Sequence, residues 1–246
     1  MRLAAISDIH GNSDALRAVL DDIALRSVDL IVNLGDCFSG PLDAAGTAEI
    51  LAPLDLPTVR GNHDRQLVDR PKDQMGNWEA WIIDELPQVT LDWCRDLPMT
   101  REVGGMLLCH ATPKKDDENW LDRRGPEHRL VARDLPGVER RAEGITHRMT
   151  LCGHTHAPRN ARLPDGRRIV NPGSVGCPAY LDDRMDPNFV QQTGSPDARY
   201  ALVQEVEGDW RVELISVPYD AEPMARRAEA KGAAKWAHAL RTGWWS

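Results

Sequence analysis

Five short apolar runs in this 246-residue chain each end on a residue that can ligate a metal or carry a proton. "RLAAIS" (2–7) runs into "DIHGN", "LIVNL" (30–34) into "GD", and "PTVR" (57–60) into "GNHD". "MLLC" (106–109) runs into "HA", and "RMTLC" (148–152) into "GHTH". Apolar runs of this length, bounded by turn residues, read as buried strands. Between the first two, Leu16, Val19, Leu20, Ile23 and Ala24 share one helical stripe, with Asn12 or Ser13 as N-cap. "PLDAAGTAEILAPL" (41–54) reads as a second helix. Alternation of strand and helix indicates an α/β layered domain. Strand ends in such a fold gather along one sheet edge, where ligands bind.

Beyond Asp64 the pattern changes. Trp78, Trp81, Ile82 and Leu86 fit one helix, and Val89, Leu91 and Trp93 fit part of another. The segment 112–144 is highly charged and weakly periodic, with short helices at best. It is expected to form a lid-like insertion over the ligand edge, with Trp120 in the core. "PDG" (164–166) reads as a hairpin turn between "NARL" and "RRIV". A second hairpin around Gly208 and Asp209 and an Ala- and Arg-rich helix over 221–240 give a C-terminal hairpin plus helix at about 199–241. Residues 186–197 read as a mobile loop. With no internal repeat, one domain over 1–246 is expected.

The net charge of −8 argues against a general nucleic-acid or anionic-membrane binder, which needs clustered Lys and Arg. Five cysteines without a C-x-x-C pair suit a reduced compartment, and Cys37, Cys109 and Cys152 read as small buried side chains at strand ends. No cationic apolar leader precedes "MRLAAISDIH", and no apolar run approaches the roughly 18–20 residues of a membrane span. A cytoplasmic protein is expected.

Alone, an imidazole pair such as His154 and His156 could be a solvated loop, a buried pair or two ligands. Asp8, His10, Asp36, Asn62, His63, Asp64, His110, His154 and His156 together are more specific. Carboxylates, an amide oxygen and imidazoles on one edge suit Mn, Fe, Ni, Co or Zn better than Ca, and the lack of thiolates argues against structural zinc.

The order D-x-H, G-D, G-N-H-D, H, G-H-x-H resembles the five-motif signature of the calcineurin-like metallophosphoesterase superfamily. "NPGSVG" (171–176) resembles a loop of its small bacterial and archaeal, phosphodiesterase-like branch. The resemblance implies an αββα sandwich of two mixed sheets flanked by helices. It also implies two divalent metal ions, Mn²⁺ or Fe first, with Ni²⁺, Co²⁺ or Zn²⁺ as alternatives. One would be held by Asp8, His10, Asp36 and His156. The other would be held by Asp36, Asn62, His110 and His154, with Asp36 bridging. His63 would be the histidine that faces substrate and protonates the leaving group.

The implied reaction is phosphoester hydrolysis by in-line attack of a hydroxide shared between the ions. The implied substrate is small and phosphorylated, nucleotide-type first: a phosphodiester or a dinucleoside polyphosphate. The alternatives are a phosphomonoesterase, including protein phosphatase activity, or a non-catalytic scaffold. "GDCFSGP" lacks the Asp-Arg-Gly extension of serine/threonine protein phosphatases, which lowers that alternative. Asp64 and Asp43 are the candidates for an acidic partner of His63. Arg159 and His128 could contact substrate, against a surface salt bridge and plain exposure as their simpler readings.

Overall fold

The computed structural model describes residues 1–183 and 188–246. In chain order the elements begin with β1 (Arg2–Ile6), α1 (Ser13–Ala24), β2 (Leu30–Asn33), α2 (Ala44–Leu51), α3 (Asn62–Asp69), α4 (Asn77–Ala80) and α5 (Gln88–Asp96). They continue with β3 (Thr100–Val103), β4 (Met106–Cys109), β5 (Asp122–Arg124), β6 (Leu130–Ala132), α6 (Leu135–Arg141), β7 (Met149–Leu151), β8 (Arg159–Arg162) and β9 (Arg168–Asn171). The last are β10 (Ala179–Asp182), β11 (Phe189–Gln192), β12 (Ala198–Val206), β13 (Asp209–Val217), α7 (Glu222–Ala230) and α8 (Ala234–Thr242).

Two mixed sheets carry the fold. One has the order β13-β12-β1-β2, with β1 and β2 parallel; the other has β3-β4-β7-β9-β8, with β4, β7 and β9 parallel. Strand β1 shows why its run is apolar throughout. Leu3 and Ala5 meet Met106, Leu108, Met149 and Leu151 of the second sheet, while Ala4 and Ile6 meet Leu16, Val19 and Ile23 of α1. Side chains alternate between faces with period two, and here both faces are buried. Each fully buried Leu or Ile contributes roughly 1.5–3 kcal/mol. Asn12 caps α1 by accepting from the Ala15 N–H at 3.1 Å. On the outer face of the second sheet, Val138 of α6 and Ala142 just past its end pack with Trp120, Cys152 and Ile169. The result is helix, sheet, sheet, helix.

Several sequence expectations need correction. "PTVR" makes only a single bridge, Asn33 to Thr58, because Pro57 offers no N–H and the Arg60 N–H turns away to the Pro98 carbonyl. The stretch from Trp78 to Leu86 is one turn of α-helix and a 3₁₀ turn, not one helix. The tail over 221–240 is two helices, parted where Gly232 takes φ 77°. Residues 189–192 of the expected mobile loop form β11, antiparallel to β10; Asp186 and Pro187 lie outside the described residues. No helix among the described residues is long and apolar enough to cross a membrane.

The charged segment 112–144 is tied to the core. Trp120 is 2% exposed and its indole N–H donates to the Val138 carbonyl at 3.3 Å. Trp120→Ala should therefore cost about 3–5 kcal/mol in a urea unfolding experiment on metal-free protein. A cost below about 1 kcal/mol would mark the segment as a removable cover, since that is the scale of a surface change.

Candidate metal centre

The five loops converge at one edge, and Asp8, His10, Asp36, Asn62, His110, His154 and His156 are all buried there. They fall into two groups, Asp8, His10 and His156 in one, and Asp36, His110 and His154 in the other. Within each group the ligand atoms lie within 4.8 Å of one another. Five of these residues have left-handed backbone, with φ of 55° at Asp8, 50° at His10, 57° at Asp36, 69° at His154 and 54° at His156. Such a conformation costs a side-chain-bearing residue on the order of 1–3 kcal/mol and persists only where neighbours enforce it. The first two loops enforce each other: the Asp8 N–H donates to Gly35 O at 2.9 Å and the His10 N–H to Asp36 O at 3.1 Å.

Side-chain contacts then aim each ligand. A carbonyl only accepts, so an imidazole Nδ1 facing one must carry its proton there, leaving the lone pair on Nε2. His110 Nδ1 faces Leu34 O at 2.7 Å, His156 Nδ1 faces Cys177 O at 2.9 Å, and His10 Nδ1 faces Ser39 O at 3.1 Å. His10 Nε2 and His156 Nε2 are nonetheless 3.0 Å apart. Two lone pairs at that separation repel unless a cation lies between or beside them. Asp8 Oδ1 is 3.4 Å from His156 Nε2, and its other oxygen accepts from Ser7 Oγ at 2.6 Å and the His154 N–H at 3.1 Å. Asp36 Oδ2 lies 3.1 Å from His110 Nε2, and its Oδ1 accepts from the His63 N–H at 2.8 Å.

The electrostatics have the same sense. Burial, then the neighbouring His156, pushes His10 down to about 3. Burial also opposes charge on His110, but the Asp36 carboxylate overrides it and lifts that imidazole to about 9. Burial alone would raise Asp36; the imidazoles, His110 first, hold it well below its usual range. Asp8 likewise overrides burial and raises His156, so ionised carboxylates draw protons onto the neighbouring imidazoles, and a divalent cation would satisfy the same field in place of those protons. Asn62 supplies a separate test of fit. It is fully buried, and neither its amide oxygen nor its amide nitrogen has a hydrogen-bond partner among the described residues. An orphaned buried polar group costs about 1–3 kcal/mol, which a metal bond to the oxygen would offset. The donor set therefore fits metal.

Asp64 and Asp43 are not partners of the His63 ring. Asp64 accepts from the N–H groups of Asp36, Cys37 and Gly61 at 2.8, 2.9 and 2.9 Å, lacing two ligand loops together. Burial and then Asp36 raise its pKa to about 6. Gly61 must be small for a related reason, since a Cβ there would overlap Asp36 Oδ1. Asp43 caps α2, accepts from Ser13 Oγ at 2.7 Å and pairs with Arg227 at 3.2 Å. The ring of His63 instead hydrogen-bonds through Nδ1 to Glu79 Oε1 and stacks on Trp78 with centroids 4.8 Å apart and planes 10° apart. Arg159 is engaged by Asp122 at 2.8 Å, and Asp122 in turn accepts from Thr155 Oγ1 at 2.8 Å, between the two histidines of "GHTH". His128 is exposed and faces Asn188 O at 3.1 Å. All five cysteines are buried, none belongs to either group, and burial raises the thiols of Cys37, Cys109 and Cys152.

A cleft of about 680 Å³ opens over this edge. Asp36, His63, His154 and His156 line it, facing a wall of Trp78, Trp81, Tyr180, Trp236 and Trp245. That wall comes from α4, β10 and the α7–α8 tail. No residue of 112–144 is among the lining; Trp120, Leu121, Val138 and Ala142 of that segment pack on the outer face of the second sheet, and Asp116 pairs with Arg65 of α3.

The sequence pattern of the calcineurin-like phosphoesterase superfamily domain matches residues 1–185. An uncharacterized protein of Methanocaldococcus jannaschii is 27% identical over 241 residues, covering 89% of this chain and 88% of that one. A metallophosphoesterase from Sphaerobacter thermophilus has a similar solved structure, with a TM-score of 0.74 at 24% identity over 99% of each chain. A hypothetical protein from Pyrococcus horikoshii OT3 reaches 0.76 at 18% identity, over 100% of this chain and 99% of that one. The matched residues include all five loops of the metal edge, and the chain belongs to the calcineurin-like phosphoesterase superfamily of metal-dependent phosphoester hydrolases.

Proposed function

We propose that this chain hydrolyses a small phosphodiester or phosphoanhydride of nucleotide type, dinucleoside polyphosphates included, with two divalent transition-metal ions. The observation that carries the reading is the placement of two carboxylate–imidazole groups in the floor of a cleft walled by aromatic rings. Asp8, His10, Asp36 and His156 would hold one ion, and Asp36, Asn62, His110 and His154 the other. Oxygen and nitrogen donors without thiolate point to Mn²⁺ or Fe first. When bound, the ions supply Lewis acidity toward the phosphoryl oxygens and toward the attacking water.

The chain's own residues do the rest. The left-handed loops fix the ligand atoms before substrate arrives, so binding need not reorganise them. His63, anchored by its backbone N–H on Asp36, presents its ring to the cleft and delivers a proton to the leaving oxygen. Partly exposed Trp78 and Trp81 offer faces on which a planar organic group can stack.

The test is a screen of metal-reconstituted protein over nucleotides, dinucleoside polyphosphates, cyclic nucleotides and phosphoproteins. Turnover should be greatest on a substrate with a nucleoside beside the cleaved bond. Preference for phosphoproteins, or for small aliphatic monoesters, would remove the nucleotide reading and leave the phosphomonoesterase.

A further inference from the structure

We infer that Glu79 is the positioning residue of His63, holding the Nδ1–H of the imidazole so that Nε2 faces the substrate. The inference rests on the reading of His63 as the proton donor to the leaving group. Glu79 is 1% exposed, the one buried glutamate among the described residues. A buried carboxylate is costly unless paired, and no Lys or Arg among the described residues pairs with this one. Its partner is His63 Nδ1.

The same helical turn grips the ring twice. Glu79 takes the ring edge, and Trp78, one residue earlier, covers a ring face in the near-parallel stack. Trp78 is itself held: Trp236 of α8 meets it edge-on at 4.7 Å, and its carbonyl accepts from the Gly40 N–H at 2.8 Å. With the backbone of His63 anchored on Asp36, both ends of the residue are fixed. A carboxylate can only accept from Nδ1–H, which leaves Nε2 facing the reaction; as the acid, the ring is an imidazolium whose Nε2–H goes to the leaving oxygen, leaving a neutral ring with its remaining proton on Nδ1. Glu79 does this from outside the five ligand loops, on a helix that also walls the cleft. The element that shapes the substrate site thus also orients the acid.

The experiment combines a double-mutant cycle with nitrogen spectroscopy. Glu79→Ala and Glu79→Gln are each made alone and with His63→Asn, and metal content is measured in every variant. Glu79→Ala should keep its metals and lose roughly 10–100-fold in kcat on a nucleoside leaving group, with KM little changed. Glu79→Gln, which can still accept from Nδ1–H, should lose less. In the His63→Asn background, removing Glu79 should cost nothing further, because residues acting as a unit are non-additive. In metal-free protein, the ¹⁵N spectrum of the neutral His63 ring, the form left once the proton is delivered, should show the Nδ1–H tautomer, and Glu79→Ala should shift it toward Nε2–H. Losses that multiply in the double variant, or a tautomer that does not respond, would overturn the inference. Full activity of His63→Asn would sink the acid reading instead, and the nitrogen spectrum would still decide whether Glu79 sets the tautomer.

Discussion

His63→Asn should leave metal content unchanged while lowering kcat on nucleoside or alkyl leaving groups by roughly 10²–10⁴, the usual worth of a positioned general acid. The structure gives three reasons to expect a rate effect. His63 is in neither group of metal-ligating atoms. Its side chain is 17% exposed in the cleft, whereas the proposed ligands, including Asp36, His154 and His156 that also line it, are buried. Its Nδ1 is occupied by Glu79, which leaves one nitrogen for chemistry. A lost proton donor matters in proportion to the charge that builds on the leaving oxygen. The penalty should therefore shrink for a p-nitrophenyl phosphoester, whose leaving group hardly needs protonation. Equal losses on both substrates would assign His63 to binding phosphoryl oxygens. Loss of metal would make it a ligand.

The sheet edge was legible because each of its residues follows an apolar run directly. Chain order alone then places Asp8, Asp36, His110 and the His154/His156 pair at strand ends, whereas Asn62 stands at the start of α3 after a single bridge. The left-handed backbone that aims them was not legible, since it depends on hydrogen bonds between loops such as Asp8 to Gly35. Nearness in sequence misled for the partner of His63. Asp64 is adjacent, but the turn of α3 points its carboxylate at three backbone N–H groups. Glu79 lies 16 positions away on a helix too short to show periodicity. A signal did exist: in "NWEAW" a carboxylate stands among tryptophans, and a charge in apolar company needs a partner. Charge misled again over 112–144. Trp120, Leu121, Val138 and Ala142 anchor that stretch to the second sheet, and four apolar residues spread among many charges do not register as a pattern. The role expected of that segment at the cleft falls to α4 and to the tail, where Gly232 turns the chain and brings Ala233 to Trp236 into the wall.

Asp36→Asn should weaken both metals, each by more than the roughly 10–100-fold that losing an outer partner of a metal ligand costs. Asn keeps the shape and can still accept from the His63 N–H, so the variant isolates the charge. Asp36 is the first charge lifting His110, and it also acts on His10 in the other group. One carboxylate thus bears on both clusters, as a bridging ligand must. The rival is Asp8, whose Oδ1 lies 3.4 Å from His156 Nε2 and 3.9 Å from His110 Nε2. Elemental analysis and metal titration of Asp36→Asn and Asp8→Asn separate the two. Loss at both sites in Asp36→Asn, with the His110 site spared in Asp8→Asn, makes Asp36 the bridge. The reverse pattern would give that role to Asp8, and one metal per chain in the unmodified protein would remove the dinuclear reading altogether.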